Sequence, residues 1–365
     1  MKPLRIIHTE AATSFGGQEH RIFKEMLAMR ERGHYLEAVC QPDSQLASRL
    51  TKEGFTVHTM LMDGPVNYLK CVYNLCGVFR RGRFDVVNTH SRRDTVIAAM
   101  AARIARVPLI VRTRHLANRV GSLWSYTVLP HRVVTVSEHV RDLLLAKGVA
   151  PDHVAVVYSP IQLPPPVEHS TLRDELKLAQ NDIVVGCVAV MRAKKGHRAL
   201  VDAISPLIRE RPNLHLVLVG GGSPTFEEVQ AYVKSKALER RVHFLGTRKD
   251  VPNLLAGFDL FALATEQEAS GTVFVEAAAA GLPVIGTDVG GVSEMMEVGE
   301  TGLLVPLHDQ PALTHALKTL IDDPVLRNKM GQAGYDLVRR QGKFSLERLV
   351  SDTEACYNRW LGVRG

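Results

Sequence analysis

Short apolar runs that read as strands alternate with helix-like stretches along most of this 365-residue chain, and the alternation breaks once. The break is Ser159-Pro160-Ile161-Gln162-Leu163-Pro164-Pro165-Pro166, with four prolines in eight residues. Proline lacks an amide proton and has a fixed φ, so such a run continues neither a helix nor a central strand. Before it, residues 4–8, 35–40, 56–60, 85–89, 108–113 and 132–136 read as strands, and 19–32 and 94–104 have helical spacing. After it, strand-like runs at 183–190, 214–219, 242–245, 260–263, 283–286 and 303–305 are separated by helical patterns that include 197–210, 225–238 and 311–321. Repeated βαβ alternation predicts a parallel sheet, and two such series predict an α/β protein of two doubly wound domains facing a cleft. The expected boundaries are 1–163 for the first domain and 164–345 for the second. A last helix, 346–365, is expected to cross back to the first domain. Ligands of such sheets bind beyond the carboxyl ends of the strands.

The most informative strand end is Glu268-Ala269-Ser270-Gly271-Thr272-Val273-Phe274-Val275-Glu276, after the apolar run 260–264. Small residues open a helix that Gly281 and Pro283 close. Glu268 then lies in a strand-to-helix loop and Glu276 in the second turn of an apolar helix. A carboxylate there is costly unless it is paired or faces a polar cleft. No Ser or Thr three positions earlier makes Glu276 half of a capping box. Two carboxylates beside the exposed amides of a helix start suit a ligand with hydroxyls and a phosphate, such as a nucleotide-sugar. The competing reading is a structural ion pair for Glu276 and a solvated loop acid at Glu268.

Other strand-end loops share this character. Phe15-Gly16-Gly17-Gln18-Glu19 follows the first strand and lacks the spacing of a dinucleotide fingerprint. Arg192-Ala193-Lys194-Lys195-Gly196 puts three cations before a helix, where a diphosphate needs them. Gly220-Gly221-Gly222-Ser223 is a third. A plain turn, or a solvated basic loop at 192–195, is the alternative for each taken singly.

Together these residues resemble the retaining glycosyltransferases of family 4, of the bacterial cell-surface glycan and lipopolysaccharide type, across nearly the whole chain. The resemblance rests on Glu268 and Glu276 with the 277–286 run behind them, and on Gly16-Gly17, Lys195-Gly196, 246–251 and 302–306. It implies the GT-B fold, with two Rossmann-like domains, and transfer from a nucleotide diphosphate sugar without a metal or other cofactor. Glu276 would bind the ribose hydroxyls and Glu268 the donor sugar. Ser270, Gly271, Thr272 and Val273 would offer amides to sugar and phosphate. Lys195, with Arg192, would neutralise the diphosphate. Gly16 and Gly17 would sit beside the donor, and Gly246 and Arg248 would hold the base through backbone. His115 would be the family histidine near the donor sugar, which gives His115, Lys195 and Glu268 as the catalytic set. His90 and Ser91 fall on the acceptor side. The family arginine stands five residues before the lysine, where this chain has Val190.

The resemblance favours a uridine diphosphate sugar, with guanosine diphosphate mannose and a mannosyltransferase as the alternative. Of another class are a nucleotide-sugar epimerase and a non-catalytic nucleotide-sugar-binding subunit. The expected acceptor is a cell-surface glycan or lipid-linked intermediate, of lipopolysaccharide core or O-antigen kind. Residues 1–165 hold 22 basic residues against 13 acidic, a net of +9 that suits an anionic partner such as a membrane surface. Arg80, Arg81 and Arg83 follow a helical stretch, 68–79, whose stripe Leu69, Val72, Leu75 and Val78 reads as core. The basic residues show no aromatic interleaving, which argues against nucleic acid. Five cysteines in no paired pattern suit a reducing cytosol. The expected location is cytoplasmic, on the inner face of the membrane.

Overall fold

The computed structural model describes residues 2–161, 163 and 167–362, the side chains at 340 and 341 excepted. Of the proline-rich segment, 162 and 164–166 lie outside the described residues. The chain divides into two compact units, Met1–Pro160 with Phe344–Gly365, and Ile161–Lys343.

The first unit holds seven strands: β1 Arg5–Glu10, β2 Tyr35–Cys40, β3 Thr56–Thr59, β4 Val86–Thr89, β5 Leu109–Arg114, β6 Arg132–Thr135 and β7 Val154–Val156. They form one sheet in the order β3-β2-β1-β4-β5-β6-β7. Every pairing is parallel, as in the register Ile6 to Val86 and Val111 to Arg132. The reversal of strand order lies between β1 and β4, which is where ligands bind in such sheets.

The second unit repeats the arrangement with β8 Ile183–Val188, β9 Leu214–Val219, β10 Val242–Gly246, β11 Leu260–Leu263, β12 Val284–Thr287 and β13 Gly302–Val305, ordered β10-β9-β8-β11-β12-β13. All its pairings are parallel too. Central strands such as Leu260–Leu263 are buried along their whole length. Uniform burial explains why they read as continuous apolar runs rather than alternating ones.

Several polar side chains at strand ends are buried. Thr9 and Glu10 extend β1 past the expected end at His8, and Arg114 extends β5 past Thr113; all three are nearly inaccessible. The stripe on helix Pro65–Gly82 is divided. Leu75 and Val78 enter the core, whereas Leu69 is 73% exposed, together with Val66 at 64% and Tyr73 at 80%. The i, i+3, i+7 spacing of Val66, Leu69 and Tyr73 therefore forms a second apolar face that looks outward.

Helix Leu346–Leu361 belongs to the first unit. Leu349, Val350, Cys356 and Tyr357 join the core built by Ile22, Met26 and Met29 of helix Gly17–Glu31. Asn88 on β4 donates from Nδ2 to the Tyr357 hydroxyl at 2.9 Å and accepts from Thr113 on β5 at 2.9 Å. His34 accepts from the Leu4 amide at Nδ1 and meets the Glu354 carboxylate through Nε2 at 2.9 Å, so the first contact fixes the tautomer that donates in the second.

Burial of Asn88 without the phenol would strand its amide protons, a cost of about 1–3 kcal/mol. Tyr357→Phe should therefore destabilise the first unit by that amount. Both tryptophans, Trp124 and Trp360, lie in this unit, so urea unfolding followed by tryptophan fluorescence reads the effect. An unchanged midpoint would show that water replaces the hydroxyl.

Candidate functional site

In the second unit, three strand-end loops are tied to one another. After β8, a single 3-10 turn Ala193–Lys195 leads into helix His197–Glu210 through Gly196. A Cβ on Gly196 would stand 1.7 Å from the Ala264 carbonyl oxygen, so only glycine lets this loop rest on the end of β11. The Lys194 carbonyl accepts from the Glu266 amide at 2.8 Å and from the Thr265 hydroxyl at 3.1 Å. From the other side, Gly290 lies so close to the Glu268 carbonyl that a Cβ would stand 1.8 Å from it, and the Gly291 amide donates to that carbonyl.

The stitching places Lys195 Nζ against a Glu268 carboxylate oxygen, with both side chains mostly buried. Lys194 donates to the Gln267 side chain at 2.8 Å. Gly271, with φ 77°, turns the chain into helix Thr272–Ala279. The first amides of a helix have no intrahelical acceptor, and the N-cap residue here, Gly271, has no side chain to cap them. Phe274, Val275, Ala277, Ala278 and Ala279 are buried, which leaves Thr272, Val273 and Glu276 as the partly open face. Ser270 is buried, its hydroxyl 3.9 Å from the Met295 sulfur. The structure thus brings Lys195 to Glu268, in the loop that runs through Ser270 and Gly271 into the helix start at Thr272 and Val273; Glu276 lies in the second turn of that helix. Arg192 is exposed at the start of the 3-10 turn. Gly246 ends β10, two strands from β8. The Arg248 guanidinium is held by Glu175 at 2.6 Å and Asp250 at 2.8 Å, so only its backbone is available for the role expected of it.

In the first unit, the polar ends of β1, β4 and β5 converge. Three imidazoles form a chain: His8 Nδ1 lies 2.9 Å from His90 Nε2, and His90 Nδ1 lies 3.0 Å from His115 Nε2. Burial pushes His8 down to about 3 and holds His90 and His115 well below the ordinary histidine range, with Arg21 adding to the shift in all three. All three rings are therefore neutral at pH 7. Each contact between neutral rings needs one N–H and one lone pair, so the two bonds run in the same direction. Run one way, His115 carries its proton on Nδ1; run the other, Nδ1 presents a lone pair.

Asp94 anchors this end. Its carboxylate accepts from Thr9 at 2.7 Å, from the His90 amide at 2.9 Å and from the Ser91 amide at 2.7 Å. Gly16 and Gly17 begin helix Gly17–Glu31, where Glu19 accepts from the Gly16 amide at 2.7 Å. Glu10, pushed up to about 8 by burial and by Asp94, accepts from Ala12 and Gln18. A cavity of about 250 Å³ opens here, with His90, Ser91, His115 and Gln18 on its wall.

Sequence reasoning missed His8, Asp94 and the arginines of β5. The signal for the last was present, because two arginines spaced by one residue share a face of an interior strand, where charge is rare.

Comparison with known proteins places the chain in a family. The model of glycosyltransferase family 4 matches residues 15–163, and that of the group 1 glycosyl transferases matches residues 182–323. The chain is 30% identical over 310 residues to a D-inositol 3-phosphate glycosyltransferase of Corynebacterium efficiens, covering 76% of this chain and 72% of that protein. It is 24% identical over 369 residues to the UDP-Gal:α-D-GlcNAc-diphosphoundecaprenol α-1,3-galactosyltransferase of Escherichia coli, covering 93% and 95%. It spans about half of some other curated relatives, such as the N-acetyl-α-D-glucosaminyl L-malate synthase of Bacillus anthracis, at 34% identity over 48% of that protein. Among solved structures, Anabaena HepE in complex with UDP superposes with a TM-score of 0.85 at 22% identity, over 98% of this chain and all of the other. With both half-chain models matched in order and a long relative at 30% identity, the chain belongs to the group 1, family 4 glycosyltransferases and has their GT-B fold.

Proposed function

We propose that this protein moves a sugar, with retention and without a metal, from a UDP-sugar to a glycan or lipid-linked acceptor of the cell envelope. One observation carries the reading: Lys195 and Glu268 meet beside the first amides of a helix that presents Glu276 on its open face. The relatives support the donor and acceptor classes. The E. coli enzyme is named for UDP-galactose and a diphosphoundecaprenol acceptor, and the HepE crystals contain UDP. In the proposed reaction the bond from the anomeric carbon to the phosphate oxygen breaks and a bond to the acceptor oxygen forms on the same face. The acceptor proton passes to the departing diphosphate oxygen. Lys195 and the helix amides stabilise the charge that develops on the diphosphate. His115 orients the acceptor hydroxyl, and His90 and His8 set its tautomer. A donor screen with mass detection, using membrane extract as acceptor, tests the whole reading. GDP-mannose as the sole productive donor would replace UDP in it, and donor turnover without an acceptor product would sink it.

The ion pair sharpens the donor prediction. Lys195→Ala removes a cation from a partly buried diphosphate and should cost on the order of 2 kcal/mol in UDP affinity. Arg192→Ala, at an exposed position, should cost much less. Glu268→Gln releases Lys195 from its carboxylate, so UDP affinity should hold or rise while transfer falls at least a hundredfold. Calorimetry with UDP and a transfer assay separate the cases. Equal penalties at 192 and 195 would mean that both cations hold the diphosphate.

The neutral histidine chain has a pH signature. His8 resists protonation down to about 3 when folded, whereas the unfolded side chain protonates near 6.5. Its contribution to stability is intact above pH 6.5 and is lost as pH falls toward 3, by up to about 1.4 kcal/mol per unit. Glu10 acts oppositely, since its raised value lowers stability as pH rises toward 8. The stability gap between wild type and His8→Gln should therefore narrow as pH drops from 6.5 to 4, in urea unfolding read by tryptophan. A constant gap would show that native His8 takes up the proton.

We propose further that the outward face of helix Pro65–Gly82 rests on an anionic membrane. Val66, Leu69 and Tyr73 form its apolar side, and exposed Arg80, Arg81 and Arg83 supply the charge. No described helix is long and apolar enough to cross a membrane. Changing the three arginines to Gln, or Leu69 and Tyr73 to Ser, should reduce sedimentation with anionic vesicles and leave UDP binding intact. Added salt should weaken the attraction within a Debye length of about 8 Å. Wild-type protein that ignores anionic vesicles at low salt would dismiss this surface.

A further inference from the structure

The 250 Å³ cavity of the first unit is lined by four arginines, Arg92, Arg112, Arg114 and Arg119, and, among the described residues, by no aspartate or glutamate. Arg112 and Arg114 lie on β5, an interior strand, and are only 5% and 6% exposed. Their described hydrogen-bond partners are all neutral. Arg112 Nη1 donates to the Ser125 carbonyl at 3.0 Å and to its hydroxyl at 2.5 Å, and its guanidinium carbon lies 3.7 Å from the Tyr126 ring centroid. Arg114 donates to the Tyr126 hydroxyl, and to the Asn118 carbonyl at 2.5 Å and side-chain oxygen at 3.1 Å. The Nε of each arginine is buried with no hydrogen-bond partner.

Two buried cations with neutral partners are expensive, and burial weakens the hold of Arg112 on its proton. Tyr126 and, less strongly, Asp94 offset only part of this, and the Asp94 oxygens are occupied by Thr9, His90 and Ser91. Arg92 adds a second cost. It is the first residue of helix Arg92–Ala105, where the helix dipole disfavours a cation. Its neighbour Arg93 is paired with Asp63 outside the cavity. An anion in the cavity would compensate all of these together. Four guanidinium groups offer more directed donors than one carboxylate can accept, and they match the several oxygens of a phosphoryl group.

We infer that this cavity holds a phosphoryl group of the acceptor, close to the hydroxyl that receives the sugar, with His90 and His115 on the same wall. The inference rests on the transferase reading and adds to it the chemical class of the acceptor: a sugar phosphate or a lipid-linked diphosphate, not a neutral glycan.

The test uses the full chain saturated with UDP, so that the donor site is occupied. Titrated with inorganic phosphate, the protein should broaden the 31P line of the phosphate saturably. The effect should weaken at least tenfold in Arg114→Gln and in the double variant Arg92→Gln with Arg119→Gln. Those two arginines are exposed, so the double variant keeps the test valid if the buried substitution fails to fold. Glucose 1-phosphate and dodecyl diphosphate in detergent should each displace phosphate, and the tighter of the two names the soluble or the lipid-linked source. Methyl glucoside should displace none. Phosphate that does not bind, binds the double variant equally well, or is displaced equally by methyl glucoside overturns the inference. Failure of wild-type protein to bind UDP, measured beforehand by calorimetry, would instead overturn the transferase reading.

Discussion

The second unit depends on two carbonyl oxygens that lie too close to the neighbouring loop for any side chain to intervene. The Ala264 carbonyl faces Gly196 and the Glu268 carbonyl faces Gly290. Parallel strands deliver all their helix-bound loops to one edge, but that alone would leave the loops independent. Close backbone approach, with the Glu266 and Gly291 amides donating across the gaps, makes the loops after β8, β11 and β12 one body. The Lys195–Glu268 pair rests on these supports. For the diphosphate role proposed for Lys195 a held side chain matters, because ordering a long lysine on binding would cost affinity.

The first unit solves a different problem, that of polar groups taken deep into a sheet edge. Asp94 spends its oxygens on Thr9 and the two amides that begin the next helix, which fixes where His90 stands. His90 in turn touches His8 and His115, so the orientation of the outermost ring depends on a strand two positions away in the sheet. None of these contacts is local in sequence except those of Asp94 with residues 90 and 91. A single proton position propagates through all three rings, because neutral imidazoles can donate only once.

This contrast explains what the sequence disclosed. Strands 35–40, 214–219 and 260–263 and helix 197–210 were legible at their observed bounds, since buried parallel strands and amphipathic helices write their burial into apolar pattern. The short edge strand Val154–Val156 and helix Pro324–Gln341 left no such signal. The ends of β1 and β5 were read short because Thr9, Glu10 and Arg114 look like loop residues; they are buried polar groups in strand conformation. On helix Pro65–Gly82 the stripe read as core holds at Val72, Leu75 and Val78 but not at Leu69, which faces outward with Val66 and Tyr73: periodicity shows that a stripe exists and not how far along the helix it stays covered.

The candidate sites follow the same division. Residues around Lys195, Glu268 and Glu276 form compact strings, because backbone amides and short loops do most of the holding there, and backbone requirements appear as glycines at fixed offsets. In the first unit the groups are side chains from β1, β4 and β5, at residues 8, 90, 112, 114 and 115, brought together only by the strand order. Strand order is not written in any local pattern. What the chain does record is cost: paired arginines on an interior strand and an arginine at a helix start are choices that propensity and burial both oppose. Where local preference is violated with nothing nearby in the sequence to compensate, the compensation has to come from the fold or from a ligand. Here the fold supplies neutral hydrogen-bond partners for the β5 arginines and, for Arg112, partial relief from Tyr126 and Asp94; the proposed anion would compensate the remainder.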